Sequence, residues 1–444
     1  MSMNINELGR IMRENGIVGA GGAGFPSYAK LNEKADTIIL NCAECEPLLK
    51  LHRQVLEKYA FEIMTALTAV KEATQAERVI IAVKPAYKGA VDAVNANLGS
   101  FKDITIGYLP EVYPAGDEVI TIYETTGRVV APGAIPISVG CIVYNVETML
   151  NLYFAMTADK PVTSKYITIA GEVKKPVTLK VTLGMTVNEL VELAGGVTVN
   201  DPVYISGGPM TGRICNGYDV ITKTSNAILV MPKDHYIVLK RSQSTKVNVK
   251  RAMASCCQCQ MCTDLCPRHL LGHPITPHMF MRSVSSGTAQ DIKPLLDTMF
   301  CSACGLCEMY SCGQGLSPRT LIGEYKGALR KNGVPVPKDA VLKPVAPYRN
   351  ERRVPMERLT ARIGLTRYDM PAPMVDEEVK ADTVKIQLTQ HIGAPAKAFV
   401  AVGDKVVVGQ PIGGTDDDKL GVKIHATISG TVTDVNDRFV TIKA

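Results

Sequence analysis

Eight of the thirteen cysteines fall into two tight runs, Cys256-x-x-Cys259-x-x-Cys262-x-x-x-Cys266-Pro267 and Cys301-x-x-Cys304-x-x-Cys307-x-x-x-x-Cys312. A chain that gathers thiols this densely must fold around something able to neutralise several thiolates at once. The first run has the spacing of iron–sulfur ligation, in which cysteines on a tight turn each hold a different iron of one cubane. The cysteine beyond the turn is set back, and where two cubanes are neighbours it ligates the other one. The spacing therefore assigns one [4Fe–4S] centre to Cys256, Cys259, Cys262 and Cys312, and a second to Cys301, Cys304, Cys307 and Cys266. Structural zinc is the competing reading, but it usually pairs two Cys-x-x-Cys hooks across a longer gap. Four residues instead of three precede Cys312 and no proline follows it, which leaves the ligand set of the second run open. Cys257 is expected to be a non-ligating neighbour.

With 444 residues the chain exceeds one core, and about 150 residues per domain suggests about three domains. A hydrophobic content of 46% with 21% charged residues is that of a globular protein. No apolar run approaches the roughly 18 residues of a membrane span. The N-terminus lacks the basic flank and apolar core of an export signal, so a cytoplasmic location and reduced thiols are expected. A net charge of +6 with 5% aromatics and no tryptophan argues against a stacking platform for nucleic acid. An acidic partner or an anionic ligand suits that charge better.

The segment Gly19-Ala-Gly-Gly-Ala-Gly24 contains G-x-G-x-x-G, yet it follows a helix instead of a strand, so a conventional dinucleotide loop is rejected. Four glycines in six residues still leave backbone amides open to a ligand. From Thr37 the pattern is βαβαβ: strands at Thr37–Asn41, Val79–Val83 and Ile104–Leu109, a long helix from Leu51 to Val70, and a helix over Tyr87–Leu98. Asn41 to Pro47 falls at a strand's carboxyl end, where such sheets bind ligands. Cys42 and Cys45 read as small packing residues ahead of a redox pair.

Residues 165 to 212 read as a small β-rich unit with a capping box, Thr186-Val-Asn-Glu189. His269, His273 and His278 follow the first cysteine run and are read as surface or supporting groups, since thiolates already fill the cubanes. Residues 333–380, rich in proline and arginine, are expected to be an extended connector. Short strands from Val384 onward suggest a flattened barrel of the biotinyl/lipoyl-carrier type. Lys419 sits where such carriers place a modified lysine, although a charged hairpin tip explains it as well.

Gly19–Lys30, Asn41–Pro47, Gly116-Asp117-Glu118 and Asn145-Val146-Glu147-Thr148 resemble, in the same order, the four flavin-binding stretches of the NADH-oxidising subunit of respiratory complex I. The β unit after them resembles that family's SLBB β-grasp domain. Two clusters and a barrel-sandwich hybrid domain are similar to the C subunit of Rnf-type ferredoxin:NAD oxidoreductases. With the barrel closing the chain, the whole resembles the cobalamin reductase family of propanediol-utilising bacterial microcompartments. The implied fold is multidomain α/β: an FMN/NADH-binding α/β domain (1–160), an SLBB β-grasp domain and connector (161–247), a helical ferredoxin-like domain with two [4Fe–4S] clusters (248–332), a linker (333–380) and a barrel-sandwich hybrid domain (381–444).

The resemblance implies FMN held by Gly19, Gly21, Gly22 and Lys30, with Asn41, Glu44, Gly116, Asn145 and Thr148 around it. It places Phe25, Glu46 and Glu118 on the nicotinamide side. Ala20, Ala43, Cys45, Asp117 and Tyr144 depart from the family pattern, which has arginine, aspartate, serine, glutamate and asparagine there. It further implies NADH as donor, cobalamin as substrate, and a corrinoid adenosyltransferase or other microcompartment proteins as partners, within or attached to the compartment. Two rival readings share these residues: an electron-input subunit of an Rnf-like complex, and a microcompartment relay without its own NADH site.

Overall fold

The computed structural model describes residues 3–289 and 291–444. Strands Thr37–Cys42 and Arg78–Val83 are apolar and buried along most of their length, as strands covered by helices on both faces must be. They form the centre of a four-stranded parallel sheet, with Ile104–Tyr108 beyond Arg78–Val83 and Cys141–Asn145 on the opposite flank. The chain thus lays down three successive strands outward and returns to the other side of the first. That reversal opens a crevice at the carboxyl ends of Thr37–Cys42 and Cys141–Asn145, where Asn41 lies in register with Asn145. The long helix expected from Leu51 is two helices, Leu51–Lys58 and Ala60–Thr74. The break falls at Tyr59, whose hydroxyl is drawn to Asp376 Oδ2 at 2.6 Å.

A second sheet runs in the order Met374–Val379, Val177–Thr182, Ser164–Gly171, Ala227–Pro232, Pro202–Ser206, Arg213–Cys215. Its helix Val187–Leu193 opens on the expected capping box, Glu189 accepting from the Thr186 N–H at 2.7 Å. The edge strand Met374–Val379 comes from the stretch expected to be an extended connector, and that expectation needs correction. Val354–Pro355 pairs with Val112–Tyr113, Met356–Arg362 is a helix, and Met374–Val379 runs parallel to Val177–Thr182. The arginines that suggested a solvated tether instead find a carboxylate: Arg349 and Arg353 reach Glu124 at 2.5 and 3.5 Å.

One continuous apolar cluster, from Leu8 through Ile38 and Val79 to Ile167 and Val230, joins the two sheets. The cysteine-bearing region packs helices Thr245–Ser255, Pro277–Ser286 and Pro318–Lys331 around Ala252, Phe280, Leu321 and Ile322. The C-terminal barrel closes two small sheets over Val384, Ile386, Ile412, Ile424, Val440 and Ile442. It docks on the first domain through Lys223, whose Nζ donates to Gly16 O (2.7 Å) and Lys423 O (3.2 Å). Lys419 pairs with Asp416 at 2.6 Å on an exposed turn, the arrangement of a charged hairpin tip. Among the described residues no helix is long and apolar enough to cross a membrane.

Candidate functional site

The crevice is a cleft of about 490 Å³, within the size range of cofactor sites. The structure brings all the expected flavin residues to its wall: Gly19, Gly21, Gly22, Lys30, Asn41, Glu44, Gly116, Asn145 and Thr148. Phe25, Glu46 and Glu118, expected on the nicotinamide side, line it too. The glycine loop folds as a hairpin, with the Gly19 N–H donating to Phe25 O at 2.9 Å and Val18 bridging Pro26. A Cβ at Gly21 would lie 2.8 Å from Asn226 Nδ2, so a side chain there would displace the Asn226 amide from the cleft wall. Gly22, at φ 66°, faces open space, so this bend is sterically open to a ligand anion.

Below the loop, polar residues hold one another in place. The Ala20 N–H donates to Thr148 Oγ1 at 2.9 Å. Asn41 Nδ2 donates to Gly116 O at 2.9 Å, which ties two of the expected stretches together. Asn145 caps helix Val146–Ala158 by accepting from the Glu147 N–H, while its Nδ2 lies 3.1 Å from His52 Nε2. Glu44 accepts from the His52 N–H (2.8 Å) and from Arg53 Nε (2.9 Å). Burial pushes its carboxyl up, but Arg53 and His52 outweigh this and hold it below the usual carboxylate range. Burial likewise lowers the His52 ring to about 4, which keeps it neutral.

The two acids expected on the nicotinamide side are already engaged. Lys30 Nζ donates to Glu118 Oε1 (3.0 Å) and Val143 O (2.8 Å). Glu46 accepts from the N–H groups of Met210 (2.8 Å) and Thr211 (2.9 Å), clamping the β-grasp loop over the cleft. Sequence reasoning missed His52, Tyr113, Thr211 and Asn226, which also line the cleft. Asn226 is held by Lys165 Nζ at 2.9 Å, and Lys165 forms a fully buried ion pair with Glu147. No local motif links a lysine of the second sheet to a glutamate on a helix of the first domain.

The thiols gather at two cavities. Cys256, Cys259, Cys262 and Cys312 line the outer one; Cys266, Cys301, Cys304 and Cys307 line the inner one. The two runs share one backbone turn: Gln258 and Ala303, third in each run, have φ 56° and 58°, and Gln260 and Gly305, fifth in each, have φ 65° and 81°. Left-handed backbone at non-glycine residues costs about 1–2 kcal/mol each. Such turns aim N–H groups inward, as at other iron–sulfur sites. The Ala303 and Leu316 N–H groups lie 3.3 and 3.4 Å from the Cys301 and Cys312 sulfurs. Among the described residues no three ligand groups converge closely enough for a single ion. Four thiols at each cavity match the four cysteine ligands of a cubane.

Ser302 and Cys304 of the inner site also line the large cleft, and Tyr113 Oη donates to Cys304 O at 2.5 Å. The inner thiols therefore abut the cleft, whereas the outer cavity opens beside the exposed Cys257 and Cys259. Cys42 and Cys45 pack in different apolar clusters, as small packing residues do. His278 lines the outer cavity with Nδ1 2.7 Å from Thr263 Oγ1, and His269 Nδ1 lies 3.0 Å from Ile275 O. His273 is buried, not at the surface.

Comparisons with known proteins match the chain in four successive parts. The Nuo51 FMN-binding domain matches residues 12–154, the SLBB domain 166–214, the 4Fe-4S dicluster domain 255–317, and the RnfC barrel sandwich hybrid domain 372–444. The chain is 41% identical to the cobalamin reductase PduS of Salmonella typhimurium over 100% of this chain and 97% of that one. It is 39% identical to the PduS of Citrobacter freundii, over 97% and 95%. The C subunit of the proton-translocating ferredoxin:NAD(+) oxidoreductase complex of Clostridium ljungdahlii is 31% identical over 60% of this chain and 57% of that one.

Proposed function

This chain belongs to the PduS family of cobalamin reductases, and on that premise we propose that it passes electrons from NADH through FMN and two [4Fe–4S] clusters to the cobalt of cobalamin. Bound FMN supplies the exchange between a two-electron hydride donor and one-electron iron–sulfur acceptors. The observation that carries this reading is the wall shared by Cys304 between the large cleft and the inner thiol cavity.

The chain's own residues prepare each site. The bend at Gly21 and Gly22, with Lys30, is suited to hold a phosphate, while Asn41, Glu44, Gly116, Asn145 and Thr148 shape the floor for the ring system. Phe25 and the acids Glu46 and Glu118 lie where nicotinamide would enter, and the Glu46 clamp keeps the β-grasp loop over the opening. Cys256, Cys259, Cys262 and Cys312 would hold one cubane, and Cys266, Cys301, Cys304 and Cys307 the other. No proton-transferring side chain is needed.

The whole-length similarity to PduS favours this reading over an Rnf-like input subunit, whose similarity stops at 60% of the chain. Partners include a corrinoid adenosyltransferase, and the location is a diol-utilisation microcompartment. The test is anaerobic purification with iron, sulfide and flavin quantitation, followed by NADH titration with hydroxocobalamin. About eight irons and one flavin per chain and NADH-dependent corrinoid reduction are expected. A flavin that stays yellow with NADH would refute the donor assignment.

A further inference from the structure

The rim of the outer thiol cavity stands apart chemically from the rest of this charged surface. From Met253 to Gln260 eight successive residues carry no charge, and all but Cys256 are exposed. Across the cavity, Gly313 and Gln314 are exposed and uncharged as well. Among the described residues no acid, lysine or arginine lines the cavity, whose wall includes Gln258, Gln260 and Gln314. The inner cavity, by contrast, is lined by Arg268 and Arg319. Gln258 turns its amide to the Cys256 sulfur at 3.2 Å, which leaves Gln260 and Gln314, among the described residues, as the rim amides without a side-chain hydrogen bond.

We propose that this rim is the corrinoid-binding face: Gln260 and Gln314 hydrogen-bond the peripheral amides of the corrin ring over the exposed edge of the outer thiol site, so that cobalt is reduced there and not in the flavin cleft. The inference rests on the cobalamin-reductase reading above. A corrin ring is an uncharged-rimmed macrocycle bearing acetamide and propionamide arms, each a donor and an acceptor. Glutamine amides match those arms in both senses. A charged protein partner would find no complementary charge on this rim. Exposed Cys259 brings the site's edge to solvent, where a bulky acceptor can approach without entering the protein.

The electrons balance over two encounters. NADH gives NAD+, one proton and two electrons. Each encounter passes one electron from the outer site to cobalt, taking hydroxocob(III)alamin to cob(II)alamin with loss of the axial hydroxide. The two hydroxides leave as water, with the proton from NADH and one from solvent. No bond to the protein forms.

The test uses the anaerobically purified protein with its flavin and iron, and cyanocobalamin without NADH as the probe. Excess cyanocobalamin should slow N-ethylmaleimide labelling of exposed Cys257 severalfold, read by peptide mass spectrometry. In equilibrium dialysis Gln260→Glu/Gln314→Glu, checked for unchanged iron and flavin content, should raise the dissociation constant about tenfold, and Gln314→Ala about threefold. Corrinoid that binds with wild-type affinity to both variants and leaves Cys257 labelling unchanged would place the substrate elsewhere and overturn the inference, while the reductase reading stood. A wild-type protein that neither binds nor reduces corrinoid would overturn both.

Discussion

At the inner thiol site Arg268, its guanidinium paired with Asp117 at 2.9 Å, and Arg319 line the wall and the flavin cleft adjoins; at the outer site the neighbours are glutamines, a histidine and solvent. The inner site, and the Cys262 side of the outer one, are buried enough to resist bare thiolates. Burial pushes Cys266 up to about 12 and raises Cys304 and Cys307 at the inner site, and pushes Cys262 up to about 12 at the outer one. Thiolates in such places need cationic iron to hold them. The same turn, placed in two surroundings, thus yields a site suited to receiving electrons from the cleft and another suited to delivering them. The Arg319 guanidinium favours the more negative, reduced form of the inner centre; solvent and neutral amides surround the outer one.

The comparison can be broken most forcefully at the inner site. Cys307→Ser should lower NADH-driven cobalamin reduction roughly hundredfold and take iron from about eight towards about four per chain, measured by steady-state assay and iron analysis. Cys259→Ser should cost about tenfold in the same assay, while ferricyanide, small enough to take electrons upstream, is still reduced. Equal losses of ferricyanide reduction in the two variants would erase the distinction between inner and outer. Arg319→Ala, which removes a cation from the inner wall, should lower the inner centre's reduction potential by about 60 mV, a tenfold change in the one-electron equilibrium. Gln258→Ala should shift the outer centre less; redox titration followed by electron paramagnetic resonance reads both.

The smallest effect lies far from either thiol site and tests whether barrel docking is separate from the redox core. Among the described residues buried Lys223 has no carboxylate partner, and desolvation lowers it from 10.5 to about 7. Between those values the unfolded chain holds the extra proton, so stability climbs with pH; the contribution is complete above 10.5 and lost as pH falls through 7. Lys223→Met should flatten the rise of melting temperature with pH across that window and leave both reduction potentials unchanged.

Much of this is legible in the residues. The thiol partition follows from spacing, and the βαβαβ pattern with a polar strand end at Asn41 points to the cleft. The flavin stretches converge because the fourth strand returns beside the first, a topology that Thr37–Asn145 carries only implicitly. What stays hidden depends on contacts between distant segments. Nothing near Glu46 signals that Met210 and Thr211 will claim its carboxylate, and nothing near Asn226 signals Lys165. The connector is misread because proline and arginine count as solvated until Glu124 and the open edge of the second sheet are seen to receive them.

Freeze-quenched electron paramagnetic resonance after mixing the anaerobic protein with NADH follows both centres in one experiment. The account predicts that the inner signal appears first and the outer one after it, with Cys307→Ser protein bleaching its flavin while the outer centre stays oxidised. An outer signal that rises before the inner one, or that rises normally in Cys307→Ser protein, would contradict it.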